Sequence, residues 1–171
     1  MPADPITASI HVHAPPERVF EHFTSSTAMT KWMGQWADLV PVVGGRFAVD
    51  IKGVAVRGRY LELDPPHRLV ISWGHAGSSR LPPGASTVEI ALTPEAGGTR
   101  VEIHHRQLPE PEASRHPAGW RRFLAQLAII AAGDELPPPA IPPQPDCRGD
   151  LDNRACGHGP RSTAAESCRS T

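Results

Sequence analysis

Residues 6–14, ITASIHVHA, alternate strictly. Ile6, Ala8, Ile10 and Val12 fall on one face, and Thr7, Ser9, His11 and His13 on the other. A period of two marks a half-buried strand. The pattern then turns helical in APPERVFEHFTSS, with Pro15 and Pro16 at the start and Val19, Phe20 and Phe23 along one side. Ser25 or Ser26 can cap a second short helix running through Met29 to Met33. The next stretch, TKWMGQWADLVPVVGGRF, shows no clear period and reads as a connection, yet it holds Trp32 and Trp36.

Alternation returns in RFAVDI and VAVRGRYLEL, parted by Lys52-Gly53, a plausible hairpin turn. RLVISWGH is a further strand carrying Trp73, followed by the Gly/Ser/Pro-rich loop AGSSRLPPGAS. TVEIALT and RVEIHHRQL alternate on either side of PEAGG, the strongest hairpin signal in the chain. Last, GWRRFLAQLAIIAAG places Trp120, Phe123, Leu124, Leu127, Ile130 and Ala131 on one helical face, with Gly133 as its C-terminal stop. Pro117 leaves the start of that helix open. The order is one strand, two short helices, five strands and a long helix. Strands joined by hairpin-type links predict an α+β fold with an antiparallel sheet of about six strands and the helices on one face.

Composition changes the picture at the C-terminal end. LPPPAIPPQP places six prolines among ten residues, and Leu151 is the only large aliphatic residue of segment 146–171. Such a segment cannot bury enough apolar surface to offset chain entropy. The sequence therefore divides into a folded domain, residues 1–136, and a disordered Pro-rich tail, residues 137–171. Deleting the tail is expected to leave the thermal midpoint nearly unchanged. A fall of several degrees, equivalent to more than about 1 kcal/mol, would mean that the tail docks.

Charge excludes more than it suggests. With 17 Lys and Arg against 18 Asp and Glu, the formal net charge is -1, which gives no reason to expect a nucleic-acid partner. The N-terminus MPADPITASI lacks the features of a signal peptide, and no segment approaches the roughly 20 apolar residues of a membrane span. The three cysteines, Cys147, Cys156 and Cys168, make a poor disulfide framework. A cytoplasmic protein is expected.

The elements, in this order, resemble the SRPBCC (START-like, birch-pollen-allergen-like) superfamily, in its activator of Hsp90 ATPase homologue branch. The stretches that carry the resemblance are IHVHAPPERVFEHFT, KWMGQW followed by VVGGRF, GRYLELDPPHRLVISW, TVEIALTPEAGGTRVEIHH and HPAGWRRFLAQL, from residue 6 to about 130. The resemblance implies a helix-grip fold, a curved antiparallel sheet wrapped around the C-terminal helix. It also implies an apolar cavity between sheet and helix, closed at one end by the two short helices. Trp32 and Trp36 would close that end, Trp73 would lie on the sheet, and Trp120 would start the helix across it. The cavity candidates are Trp32, Trp36, Phe47, Trp73, Ile90, Ile103, His105, Trp120, Leu124 and Leu127.

No nucleophile elbow, phosphate loop, dinucleotide fingerprint or zinc-protease motif is present, and no cofactor is expected. Alternation puts His105 on the inward face with Val101 and Ile103, where an imidazole could orient a ligand or act as acid or base. The plainer alternative is a core histidine satisfied by a neighbouring group. His11 and His13 share a face, and the resemblance makes the first and last strands neighbours, so His104 could join them. A structural zinc site would show four ligands, and no metal is expected. In the tail, Cys147, Cys156, His158 and Cys168 lack zinc-finger spacing.

The reading is a binding protein for a small lipid-like or aromatic ligand, acting as monomer or homodimer. A cyclase- or dehydratase-like enzyme using the cavity histidine ranks second. An Hsp90 cochaperone ranks last, because such proteins carry a separate N-terminal domain and this chain begins at its first strand.

Overall fold

Ten elements succeed one another in the computed structural model, which describes residues 5–133. Strand β1 (Ile6–Val12) is followed by helices α1 (Pro16–Thr24) and α2 (Ser26–Met29). Strands β2 (Trp36–Leu39), β3 (Arg46–Ile51), β4 (Val54–Asp64), β5 (Arg68–Trp73), β6 (Ser86–Glu95) and β7 (Gly98–Arg106) come next, and then helix α3 (Glu112–Ala131). The tail segment 137–171, with Cys147, Cys156, Cys168 and His158, lies outside the described residues.

The strands form one antiparallel, curved sheet in the order β1-β7-β6-β5-β4-β3-β2. All links from β2 to β7 join neighbours, as the run of hairpin signals predicts. β1 closes the other side against β7, with Ile6 opposite His105 and Val12 opposite Thr99. This is the α+β helix-grip arrangement expected, with seven strands rather than about six.

The extra strand is β2, inside the stretch read as a connection. Its four residues pair with β3, Trp36 opposite Asp50 and Leu39 opposite Phe47. A strand this short has too few positions to display a period. α2 also ends earlier than expected, and its cap is Ser25, whose Oγ accepts from the Ala28 amide at 3.3 Å.

Helix α3 begins earlier than the sequence pattern shows. Pro117 lies inside it, and the first turns are held by other donors, including Ala113 N–H to the Pro109 carbonyl and Ser114 Oγ–H to the Glu110 carboxylate. His116 Nδ1 lies 2.8 Å from the Glu112 carbonyl, bracing the same turn. The helix ends where predicted, with Gly133 at φ 95°.

The core lies where the inward faces of β5, β6 and β7 meet α3 and α1. Ile71, Ile90, Ile103, Leu124 and Leu127 are buried there, and α1 adds Val19 and Phe23. The Tyr60 hydroxyl donates to the Phe23 carbonyl at 2.7 Å, tying the sheet to α1. At the other end, the β3–β4 turn places Lys52 at φ 46° and Gly53 at φ 83°. A two-residue turn with both φ positive favours Asn-Gly or Gly-Gly. A lysine in the left-handed region costs roughly 1–2 kcal/mol.

Candidate functional site

The inward end of β5 and the start of the periodic part of α3 bring two indoles together. Trp73 and Trp120 lie with ring centroids 5.4 Å apart, and both are buried. Beyond them a cleft of about 270 Å³ opens between α3 and the β3–β4 hairpin. Ile51, Val54 and Val56 line it from the hairpin, and Phe123 from the helix. His75 and His116 form a further wall, their rings nearly parallel at 13° and 5.8 Å apart. Gly119 also borders the cleft, and a Cβ placed there would meet no atom within 4 Å. Lys52, Arg115 and Arg122 complete the lining.

His105 lies behind this cleft, 1% exposed, and both of its nitrogens are engaged. Trp120 Nε1–H, which can only donate, meets His105 Nδ1 at 3.1 Å. The ring proton is therefore on Nε2, which donates to Ser86 Oγ at 2.9 Å. Ser86 in turn donates to the Trp73 carbonyl at 2.9 Å. The chain of bonds thus runs from Trp120 through His105 and Ser86 to Trp73. Burial, with the neighbouring His116 and His75, holds the imidazole down to about 3. With both nitrogens bonded and the charged form disfavoured, the ring is neutral at neutral pH. This is the bonding expected of the core-histidine alternative.

Phe47, Ile90, Ile103, Leu124 and Leu127 belong to one buried core cluster. Phe47, for instance, meets Tyr60 edge-on at 5.7 Å and tilts against Trp73 at 6.0 Å. Trp36 closes nothing. It is 47% exposed on edge strand β2, with the Arg57 guanidinium 5.5 Å above its ring. Trp32 is buried against Phe23 and donates to the His22 carbonyl at 3.1 Å. It borders a second groove, which shares Ile51, Lys52, Arg122 and Phe123 with the first. Of the ten candidates, Trp73 and Trp120 border the cleft between α3 and the β3–β4 hairpin.

The sequence reading missed His75, His116, Lys52 and Arg115. His75 comes after β5 in a loop, and its ordinary value is lowered by burial and by His116, opposed by Glu112. Lys52 was visible only as a turn residue. Arg115 and His116 sit on the helical turns that Pro117 concealed.

The outer-face histidines do not assemble into one group. His11 Nδ1 meets the Glu95 carboxylate at 2.9 Å, whereas His104 stands opposite Thr7, well along β1 from His11. Among the described residues, no cluster of three or more His, Cys, Asp or Glu could hold a metal ion. Nor, among them, is any helix long and apolar enough to cross a membrane.

No protein of curated function matches the chain. Among solved structures it is similar to an AHSA1-like protein from Rhizobium etli, at 35% identity over 90% of this chain and 94% of that one, TM-score 0.63. It also resembles the Aha1 dimer from Colwellia psychrerythraea, at 20% identity over 77% of this chain and 98% of that one, TM-score 0.67. An HSP90 activator from Plasmodium falciparum aligns at 23% identity over 75% of this chain and 96% of that one, TM-score 0.64. At those two lower identities the likeness is one of fold. The family described as activator of Hsp90 ATPase homolog 1-like protein matches residues 13–132. With that match spanning most of the chain, the protein belongs to this family, within the SRPBCC superfamily.

Proposed function

We propose that the protein binds a small apolar or aromatic molecule in the cleft between α3 and the β3–β4 hairpin. The observation that carries this reading is the floor of that cleft. Two tryptophans, packed against each other and backed by a satisfied polar chain, form the wall of an open apolar space. Rigid aromatic surface of this kind supplies contact area at little entropic cost, which suits ligand recognition. The Trp73 Nε1–H is buried without a partner among the described residues. An unpaired buried donor costs about 1–3 kcal/mol, and a ligand acceptor that reached it would recover that cost.

The volume limits the ligand. Small-molecule sites span roughly 300–1,000 Å³, so a cleft of about 270 Å³ suits a one- or two-ring molecule better than a diacyl lipid. Family membership does not choose between binding and other roles, because function resides in the site and not the fold. The histidine on which an enzymatic reading rested is already committed to Trp120 and Ser86.

Titration with 5-dimethylaminonaphthalene-1-sulfonamide, a neutral two-ring fluorophore, tests the proposal. Its emission is expected to rise and shift to the blue, saturating at about one site per chain, while part of the tryptophan emission is quenched. Emission that climbs linearly without saturation, with tryptophan fluorescence untouched, would contradict it.

A further inference from the structure

We infer that the ligand of this cleft is an anion, an aromatic or short aliphatic carboxylate or sulfonate whose charge is held by Lys52, Arg115 and Arg122. The inference rests on the reading of the cleft as a ligand site and specifies the chemistry that site selects.

The lining includes these three cations and no Asp or Glu. The adjoining groove shares Lys52 and Arg122 and adds Lys31, again without a carboxylate. Elsewhere the strand arginines have partners. Arg46, Arg57, Arg68, Arg100 and Arg106 each lie within ion-pair distance of a carboxylate, and Arg59 donates to the Gly44 carbonyl. Among the described residues, no carboxylate lies within 4.0 Å of Lys31, Lys52, Arg115 or Arg122. Glu112 Oε2 lies 3.9 Å from His116 Nδ1, and Glu112 is not part of the lining. In a chain of net charge -1, cations gathered on one apolar cleft create a local field that a bound anion would neutralise.

Two further observations point the same way. Lys52 occupies a left-handed turn position at φ 46°, where glycine or asparagine would sit without strain, so its side chain is retained against the preference of the backbone. At the opposite rim the Arg122 guanidinium lies 5.0 Å above the Phe123 ring, which fixes a cation beside the apolar surface. The cleft thus offers positive charge around an aromatic floor. That is the complement of an amphipathic anion and not of a neutral lipid.

A matched pair of probes separates this inference from the reading beneath it. 5-Dimethylaminonaphthalene-1-sulfonate carries a full negative charge on the ring system of the neutral sulfonamide. At low ionic strength the sulfonate is expected to bind about tenfold more tightly, an advantage that shrinks as added salt shortens the screening length. Lys52→Asn should reduce sulfonate affinity several-fold more than it reduces sulfonamide affinity. The same variant should melt no lower than the natural protein, because asparagine suits the turn. Arg115→Gln should act in the same direction on the sulfonate.

Equal binding of the two probes would overturn the anion inference and leave the cleft reading standing. So would a sulfonate preference that survives both substitutions. Failure of both probes to bind would remove both readings.

Discussion

Lowering the pH from 7 to 5 is expected to cost the folded protein about 2 kcal/mol through His105 alone. Its imidazole titrates at about 3 in the fold and at 6.5 as an unperturbed side chain. Below pH 6.5 the unfolded chain takes up a proton that the folded chain refuses, so acid draws the equilibrium toward unfolding. The stability is fully present above pH 6.5 and is lost at up to about 1.4 kcal/mol per pH unit down to about 3. His75, lowered by burial and by His116, contributes in the same direction.

Glu89, held below its usual value by the Arg68 hydrogen bond, loses its contribution only at lower pH. Urea unfolding at pH 7, 6 and 5, on the natural protein and on His105→Gln, makes the comparison. Glutamine keeps one acceptor for Trp120 and one donor for Ser86 and does not titrate. The variant should lose most of the pH slope. Parallel slopes in the two proteins would show that His105 is not the buried neutral group described.

The same residue shows what a sequence carries and what it does not. Alternation placed His105 on the inward face, and it lies there, because the period of a strand fixes which side each residue takes. Its partners, Ser86 on β6 and Trp120 on α3, come from pairing and packing across the chain and leave no local trace. Ile90, Ile103, Leu124 and Leu127 illustrate a related limit. An inward apolar position has the same pattern whether the space opposite is open or filled.

The long elements were legible because they repeat a period several times. β2 was not, having four residues. Pro117 hid the first turns of α3, and with them Arg115 and His116. Lys52 and His75 reach the cleft from a turn and a loop, where no period exists to reveal which way a side chain faces. The site is thus assembled largely from positions to which pattern reading is blind, and the core from those to which it is sensitive.

Gly119 gives the most direct access to the central claim, that the cleft itself is the binding site. It lies within α3, where glycine is less favourable than alanine by about 1 kcal/mol, and it faces space that no neighbouring atom occupies within 4 Å. Filling that space should therefore not disturb the fold. The measurement is the affinity of Gly119→Leu for the neutral sulfonamide, taken alongside its melting temperature, with Gly119→Ala as the smaller step. The leucine variant is expected to melt at the same temperature or higher and to bind at least about tenfold more weakly, with the alanine variant between it and the natural protein. A leucine variant that remains folded and binds the probe as tightly as the natural protein would contradict the claim.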